Sequence, residues 1–116
     1  MTHHNAEHRS QAMNDCIDNC TRCHAICLET INYCLGEGGA HAEARHIGLL
    51  STCADICATC ADAMLRGASV HTATCAACAE ICRRCADSCE RIGDAEMKRC
   101  AEICRRCADS CAAMAA

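Results

Sequence analysis

Sulfur-bearing and apolar positions recur along this chain in alternating steps of four and three. Cys16, Cys20, Cys23 and Cys27 set the pattern, and three further segments repeat it: Cys53, Cys57, Cys60 and Met64; Cys78, Cys82, Cys85 and Cys89; Cys100, Cys104, Cys107 and Cys111. Side chains spaced in this way line one face of an α-helix. Four amphipathic helices are therefore predicted, each with an inward stripe made mostly of cysteine. Isoleucine precedes a stripe cysteine in every copy (Ile26, Ile56, Ile81, Ile103), where it flanks the seam and adds apolar packing. The opposite face carries charge. Glu80, Arg83, Arg84 and Asp87 in one segment, and Glu102, Arg105, Arg106 and Asp109 in the next, are spaced for helix-surface ion pairs of about 0.2–0.5 kcal/mol each.

Residues 78–89 and 100–111 are identical, both reading CAEICRRCADSC, so half of the pattern is an internal duplication. Three glycine-bearing breaks separate the periodic segments, at Gly36, Gly38 and Gly39, at Gly67, and at Gly93; Ser69 and Asp94 stand where the next helix would be capped. The predicted helices cover 10–35, 39–66, 70–92 and 95–113. Connections this short make neighbours antiparallel, which gives an all-α, up-down-up-down four-helix bundle with a cysteine-lined core. At about 1.5 Å per residue its helices are roughly 30–40 Å long. Residues 1–9 read as a flexible N-terminal segment and 10–116 as a single bundle domain. His3, His4, His8 and His41 are expected in solvated stretches.

The same rhythm extends past the cysteines. Met13 precedes Cys16, Cys34 follows at the far end of the first helix, His46 and Leu50 precede Cys53, His71 precedes Cys75, and Ile92, Met97 and Met114 continue the last two lines. In an antiparallel bundle, Met13, Met64, His71 and Met114 gather at one end, while Cys34, His46, Ile92 and Met97 meet at the other. The first end offers four soft or borderline ligands and is the expected mouth for a metal ion.

Composition narrows the possibilities. The 116-residue chain has 17 cysteines, no proline, tryptophan or phenylalanine, and one tyrosine, which favours helix over sheet. Its formal charge is −4 and its arginines alternate with acids, so no basic footprint for nucleic acid is present. No run of about 18 consecutive apolar residues occurs, and no membrane partner is expected. The start, MTHHNAEHRS, lacks the apolar stretch of a secretory signal, and a cytoplasmic location is expected. An odd cysteine count, a reducing compartment and helical Cβ spacings of about 5–6 Å, wider than the roughly 3.5–4.5 Å of a disulfide, all oppose a cystine scaffold.

Thiols at nearly every inward position point to metal. Zinc prefers four ligands converging on one closed tetrahedral site, and a continuous stripe gives no obvious grouping of that kind. Cu(I) selects thiolates and accepts two or three shared sulfurs, for a capacity of about one ion per cysteine. Each Cu⁺ that displaces a thiol proton leaves a neutral unit, whereas a zinc ion on four thiolates buries two net negative charges beside a stripe with no cation. The Cys-x-x-x-Cys-x-x-Cys spacing also matches the cluster loop of radical S-adenosylmethionine enzymes, but here it occurs repeatedly in helices. Glu43-x-x-His46 echoes a di-iron bundle signature without the remaining ligands, and Cys75-x-x-Cys78 lacks the βαβ setting of a redox dithiol. Three other classes stay open: an iron–sulfur or dithiol redox protein, a copper chaperone or sensor of low stoichiometry, and a purely structural cysteine-cored module.

With four helices each carrying inward Cys-x-x-x-Cys-x-x-Cys, the chain resembles the bacterial copper storage proteins over about residues 10–114. The resemblance implies a non-enzymatic protein that holds many Cu(I) ions inside the bundle through paired cysteines, with a homotetrameric assembly common in the family. It implies metal ligation by Cys16, Cys20, Cys23, Cys27, Cys34, Cys53, Cys57, Cys60, Cys75, Cys78, Cys82, Cys85, Cys89, Cys100, Cys104, Cys107 and Cys111. Met13, Met64, His71 and Met114 are added as entry ligands from the stripe. Of the exported and cytosolic branches, the chain resembles the cytosolic one; Met64 stands where other members can carry cysteine.

Overall fold

The computed structural model describes residues 9–116, so the expectations for a flexible start and for solvated His3, His4 and His8 lie outside the described residues. Four α-helices follow one another: α1 Gln11–Glu37, α2 Ala44–Leu65, α3 His71–Ile92 and α4 Ala95–Ala115. Each packs on its neighbour in sequence, and α4 returns against α1, closing a four-sided ring. The body measures 51 × 24 × 20 Å. The all-α bundle read from the periodicity is what forms.

Local chemistry explains the helix ends. The Ser10 hydroxyl accepts the Met13 N–H at 3.1 Å and starts α1, and the Asp94 carboxylate accepts the Met97 N–H at 3.0 Å and starts α4. Gly93 stops α3 in a left-handed conformation (φ 80°), where an added Cβ would press on the Glu90 carbonyl oxygen at 3.3 Å. Two boundaries differ from the sequence reading. Gly38 and Gly39 both have positive φ, and the chain makes a 3₁₀ turn over Gly39–Ala42 before α2 begins at Ala44, five residues later than predicted. Ser69 does not cap α3: Val70 occupies the cap position in a helical conformation, and the Ser69 carbonyl instead accepts the Thr72 hydroxyl at 3.5 Å.

Cysteine is short, so sulfurs from facing helices meet only if the backbones come close. Alanines beside the stripe permit this: Ala54, Ala61, Ala79, Ala86, Ala101 and Ala108 are all buried at the seams. Ile26 and Ile103 are buried, and Ile56 and Ile81 pack against the core half-buried. Taken alone, α2 is long and apolar enough to cross a membrane, which the count of consecutive apolar residues missed. Its apolar character is accounted for by Leu50, Cys53, Cys57, Cys60 and Met64, which are buried inside the bundle.

The duplicated segments take different surface roles. Arg84 pairs with Glu80, and Arg106 with Glu102, within their own helices as expected. Arg105 leaves its helix and bridges to Asp87 and Glu90 on α3, because α4 presents that position to the α3 seam. His41 is a correction: it is half-buried, 2.7 Å from the Asp94 carboxylate and edge-on to Tyr33, whose hydroxyl donates to the same carboxylate at 2.8 Å. The 3₁₀ turn presses this ring onto the start of α4.

Candidate metal site

All 17 cysteines are buried and free, and each has no exposed surface. Thirteen of their sulfurs form a continuous network along the bundle axis. From the end where α2 passes into α3, Cys60 lies 3.2 Å from Cys75 and 4.0 Å from Cys111, and Cys111 lies 3.6 Å from Cys16 and 3.5 Å from Cys20. Cys20 connects to Cys107 at 3.7 Å, and Cys107 to Cys57 at 3.8 Å and Cys78 at 4.0 Å. Cys57 continues to Cys82 at 3.7 Å, Cys82 to Cys53 at 3.6 Å, Cys53 to Cys23 at 3.8 Å, and Cys23 to Cys104 at 3.7 Å. Two metal–thiolate bonds of about 2.3 Å reach across roughly 4.6 Å at most. Every contact in this chain is short enough for an ion to bridge.

The sulfurs also gather in fours. Cys57, Cys78, Cys82 and Cys107 lie within 4.8 Å of one another, as do Cys23, Cys27, Cys53 and Cys104. This corrects the expectation that a stripe holds no tetrahedral grouping. An i, i+4 pair on one helix faces single sulfurs from two others, and steps of four and three bring that arrangement about without any knuckle or turn.

Electrostatics in the network follow from thiols contacting thiols. Contacts with Cys111 first, then with other thiols, hold Cys107 well above the ordinary thiol range, and Cys104 is raised in the same way with Cys100 as its leading partner. Cys78 is held well below it, chiefly by Cys107, and Cys23 chiefly by Cys104. Each thiol that donates its S–H to a neighbour favours the charged form of that neighbour over its own. Thiols so connected release their protons as metal arrives.

The two ends differ. At one, Cys34 Sγ meets His46 Nε2 at 3.5 Å and Met97 Sδ at 3.8 Å, while His46 Nδ1 is hydrogen-bonded to Ser88 Oγ at 2.8 Å. Leu50 and Met97 are fully enclosed there. Burial lowers the His46 pKa and pushes Cys34 up to about 11. At the other end, Met64 is buried, Met13 and Met114 pack half-buried on the core, and His71 stands at the start of α3. Its Nδ1 is buried with no hydrogen-bond partner. Cys60 beneath it is lowered to about 7, mainly by its contact with Cys111. Antiparallel packing thus gives both end groups the membership read from the stripe. His46 and Met97 were placed on that stripe but not counted as ligands; their register, continuing through Cys53 and Cys100, was the signal. His24, just off the stripe, bonds to the Ala54 carbonyl at 2.9 Å and has a structural role.

Comparison with known proteins bears on this geometry. The sequence profile of the copper storage protein family (Csp) matches residues 9–116. Among solved structures, a protein from Nitrosospira multiformis superposes with a TM-score of 0.86 at 43% identity, over 90% of this chain and 95% of the other. A Cu(I)-bound copper storage protein from Bacillus subtilis gives 0.85 at 35% identity, over 91% of this chain and 100% of that one. The copper storage protein of Streptomyces lividans, loaded with 10 copper equivalents, gives 0.83 at 32% identity over 90% of this chain and 84% of its own, and is described as cytosolic. Comparison with curated proteins gave no match.

Proposed function

This chain belongs to the copper storage protein family, and from that membership we propose that it sequesters Cu(I) in quantity inside its bundle, as a store and not as a catalyst. One observation carries the reading: 17 enclosed, unoxidised cysteines line the bundle, and 13 of them touch in a continuous series with gaps of 3.2–4.0 Å. A chaperone or sensor needs a few exposed ligands, and these have no exposed surface. Neutral Cu(I)–thiolate units fill such a core without accumulating charge.

All 17 cysteines serve as ligands in this reading, at about one ion per cysteine. Ions enter past Met13, Met64, His71 and Met114, are captured by Cys60 and Cys75, and pass inward from pair to pair. The unpartnered His71 Nδ1 supports this choice of end. A cytosolic location is supported by the Streptomyces lividans relative, and a homotetramer by the family resemblance.

Anaerobic titration of the reduced protein with Cu(I) against a competing chelator tests the proposal. Uptake continuing to well beyond ten ions is expected, at about one per cysteine. Saturation after one or two ions would overturn storage.

A further inference from the structure

The four-sulfur group at the middle of the network has a shape of its own. Around Cys57, Cys78, Cys82 and Cys107 the recorded edges are 3.7 Å (Cys57 to Cys78), 3.7 Å (Cys57 to Cys82), 3.8 Å (Cys57 to Cys107), 3.7 Å (Cys78 to Cys82) and 4.0 Å (Cys78 to Cys107). The remaining pair, Cys82 and Cys107, lies within 4.8 Å. A regular tetrahedron of thiolates around an ion with bonds of about 2.3 Å has edges of about 3.8 Å. Three helices therefore hold four sulfurs whose five recorded edges match those of a regular tetrahedron. Cu(I) does not require that shape, since two or three sulfurs suffice for it.

We propose that Cys57, Cys78, Cys82 and Cys107 also form a tetrathiolate site for a divalent closed-shell ion of the zinc and cadmium class. The inference rests on sulfur geometry alone and stands apart from the copper reading. The objection is charge: M²⁺ on four thiolates leaves two net negative charges in the core, and among the described residues no cationic side chain is buried in it. The surrounding thiols answer it. Cys20 lies 3.7 Å from Cys107, and Cys53 lies 3.6 Å from Cys82. Once the four inner sulfurs have released their protons, both neighbours can turn S–H donors onto coordinated sulfurs, as outer partners do around buried metal–thiolate centres.

Binding releases four protons as M²⁺ displaces them from four thiols. Copper then exchanges with balanced charge: one M(SR)₄²⁻ unit and four Cu⁺ give four neutral CuSR units and free M²⁺. A bundle made in the presence of zinc would begin copper loading from this occupied state.

The test uses the full-length, reduced protein without oxygen and Co(II) as a visible substitute for zinc. The expected result is the d–d bands and sulfur-to-cobalt charge transfer of a tetrahedral tetrathiolate, developing with the first equivalent. Cys82→Ser and Cys107→Ser should each weaken cobalt binding by at least about tenfold, with Arg84→Ala on the exposed face leaving it unchanged and circular dichroism checking that each variant folds. Zinc-edge X-ray absorption on the unaltered protein, needing no variant, should return four sulfurs at about 2.3 Å. Full copper loading should bleach the cobalt bands. An octahedral aquo spectrum, or tetrahedral bands indifferent to Cys82→Ser and Cys107→Ser, would each overturn the assignment; cobalt retained through copper loading would overturn only the exchange with copper.

Discussion

The two ends of this bundle are built on one stripe and finished in opposite ways. Where α1 ends and α4 begins, His46 has both ring nitrogens engaged, by Ser88 and Cys34, and Cys34 is held protonated by burial. Tyr33 and His41 converge on Asp94 just outside. Where α2 passes into α3, His71 has a buried nitrogen without a partner, and Cys60 is poised near neutrality. An unpaired buried polar atom costs about 1–3 kcal/mol. A fold that tolerates this at one end and removes it at the other distinguishes a place to receive an ion from a place to close the core.

Stability gives the largest contrast. His46→Ala removes an enclosed ring and orphans the buried Ser88 hydroxyl, so a loss of about 2–4 kcal/mol is expected. His71→Ala deletes an atom that is already orphaned and should be close to neutral. Urea unfolding of the two reduced, metal-free variants measures the difference. Equal losses would mean that the ends are not distinguished by polar satisfaction.

Copper uptake comes next. If the His71 end receives the ion, His71→Ala combined with Met64→Leu should slow transfer from a coloured Cu(I)–chelator complex about tenfold, equivalent to about 1.4 kcal/mol in the barrier. His46→Asn, which keeps a partner for Ser88 but lacks Nε2, should leave that rate unchanged. Anaerobic stopped-flow absorbance follows both. A slower rate in His46→Asn alone would move the entrance to the opposite end.

These two ends were legible in the sequence to different depths. The four-three rhythm gave the helices, their antiparallel order and the membership of both end groups, because a helical stripe and short connections leave little choice. Side-chain partners were not legible. His41 reads as a solvated loop residue until the 3₁₀ turn is seen to press it against Asp94, and Ser69 reads as a cap until Val70 takes that position. The tetrahedral grouping of Cys57, Cys78, Cys82 and Cys107 depends on the relative heights of three helices, which no single-helix periodicity encodes. The alanines at the seams were the available hint that the backbones come close enough for sulfurs from different helices to meet.

Mild acid should then weaken the His46 end first. Burial lowers the His46 pKa, so the unfolded chain takes up the proton before the folded one does. The stability contributed is present above the ordinary imidazole value of about 6.5 and is lost as pH falls below it towards the lowered folded value. The urea midpoint of the metal-free protein should fall between pH 7 and 5, and His46→Asn should flatten that fall. A midpoint that declines identically in both proteins would assign the sensitivity elsewhere.

The smallest effect belongs to the clasp outside that end and appears at lower pH. Asp94 is held below the usual carboxylate range, first by the Met97 N–H that it caps, then by the Tyr33 hydroxyl and His41. Its folded pKa lies below its unfolded one. The stability that it contributes is therefore complete above the ordinary value of about 3.9 and drains as pH falls through that value towards the lowered one. Asp94→Asn keeps an oxygen for the cap but carries no titrating charge, so its urea midpoint should lie slightly below that of the parent at pH 6 and converge on it by pH 3. The neutral Tyr33→Phe variant separates the contributions: it removes one hydrogen bond to Asp94 and should reproduce part of the pH 6 difference while retaining the acid dependence. If Asp94→Asn instead runs parallel to the parent across the whole range, the carboxylate is a bystander and the enclosure of this end comes from Leu50, Met97 and His46 alone.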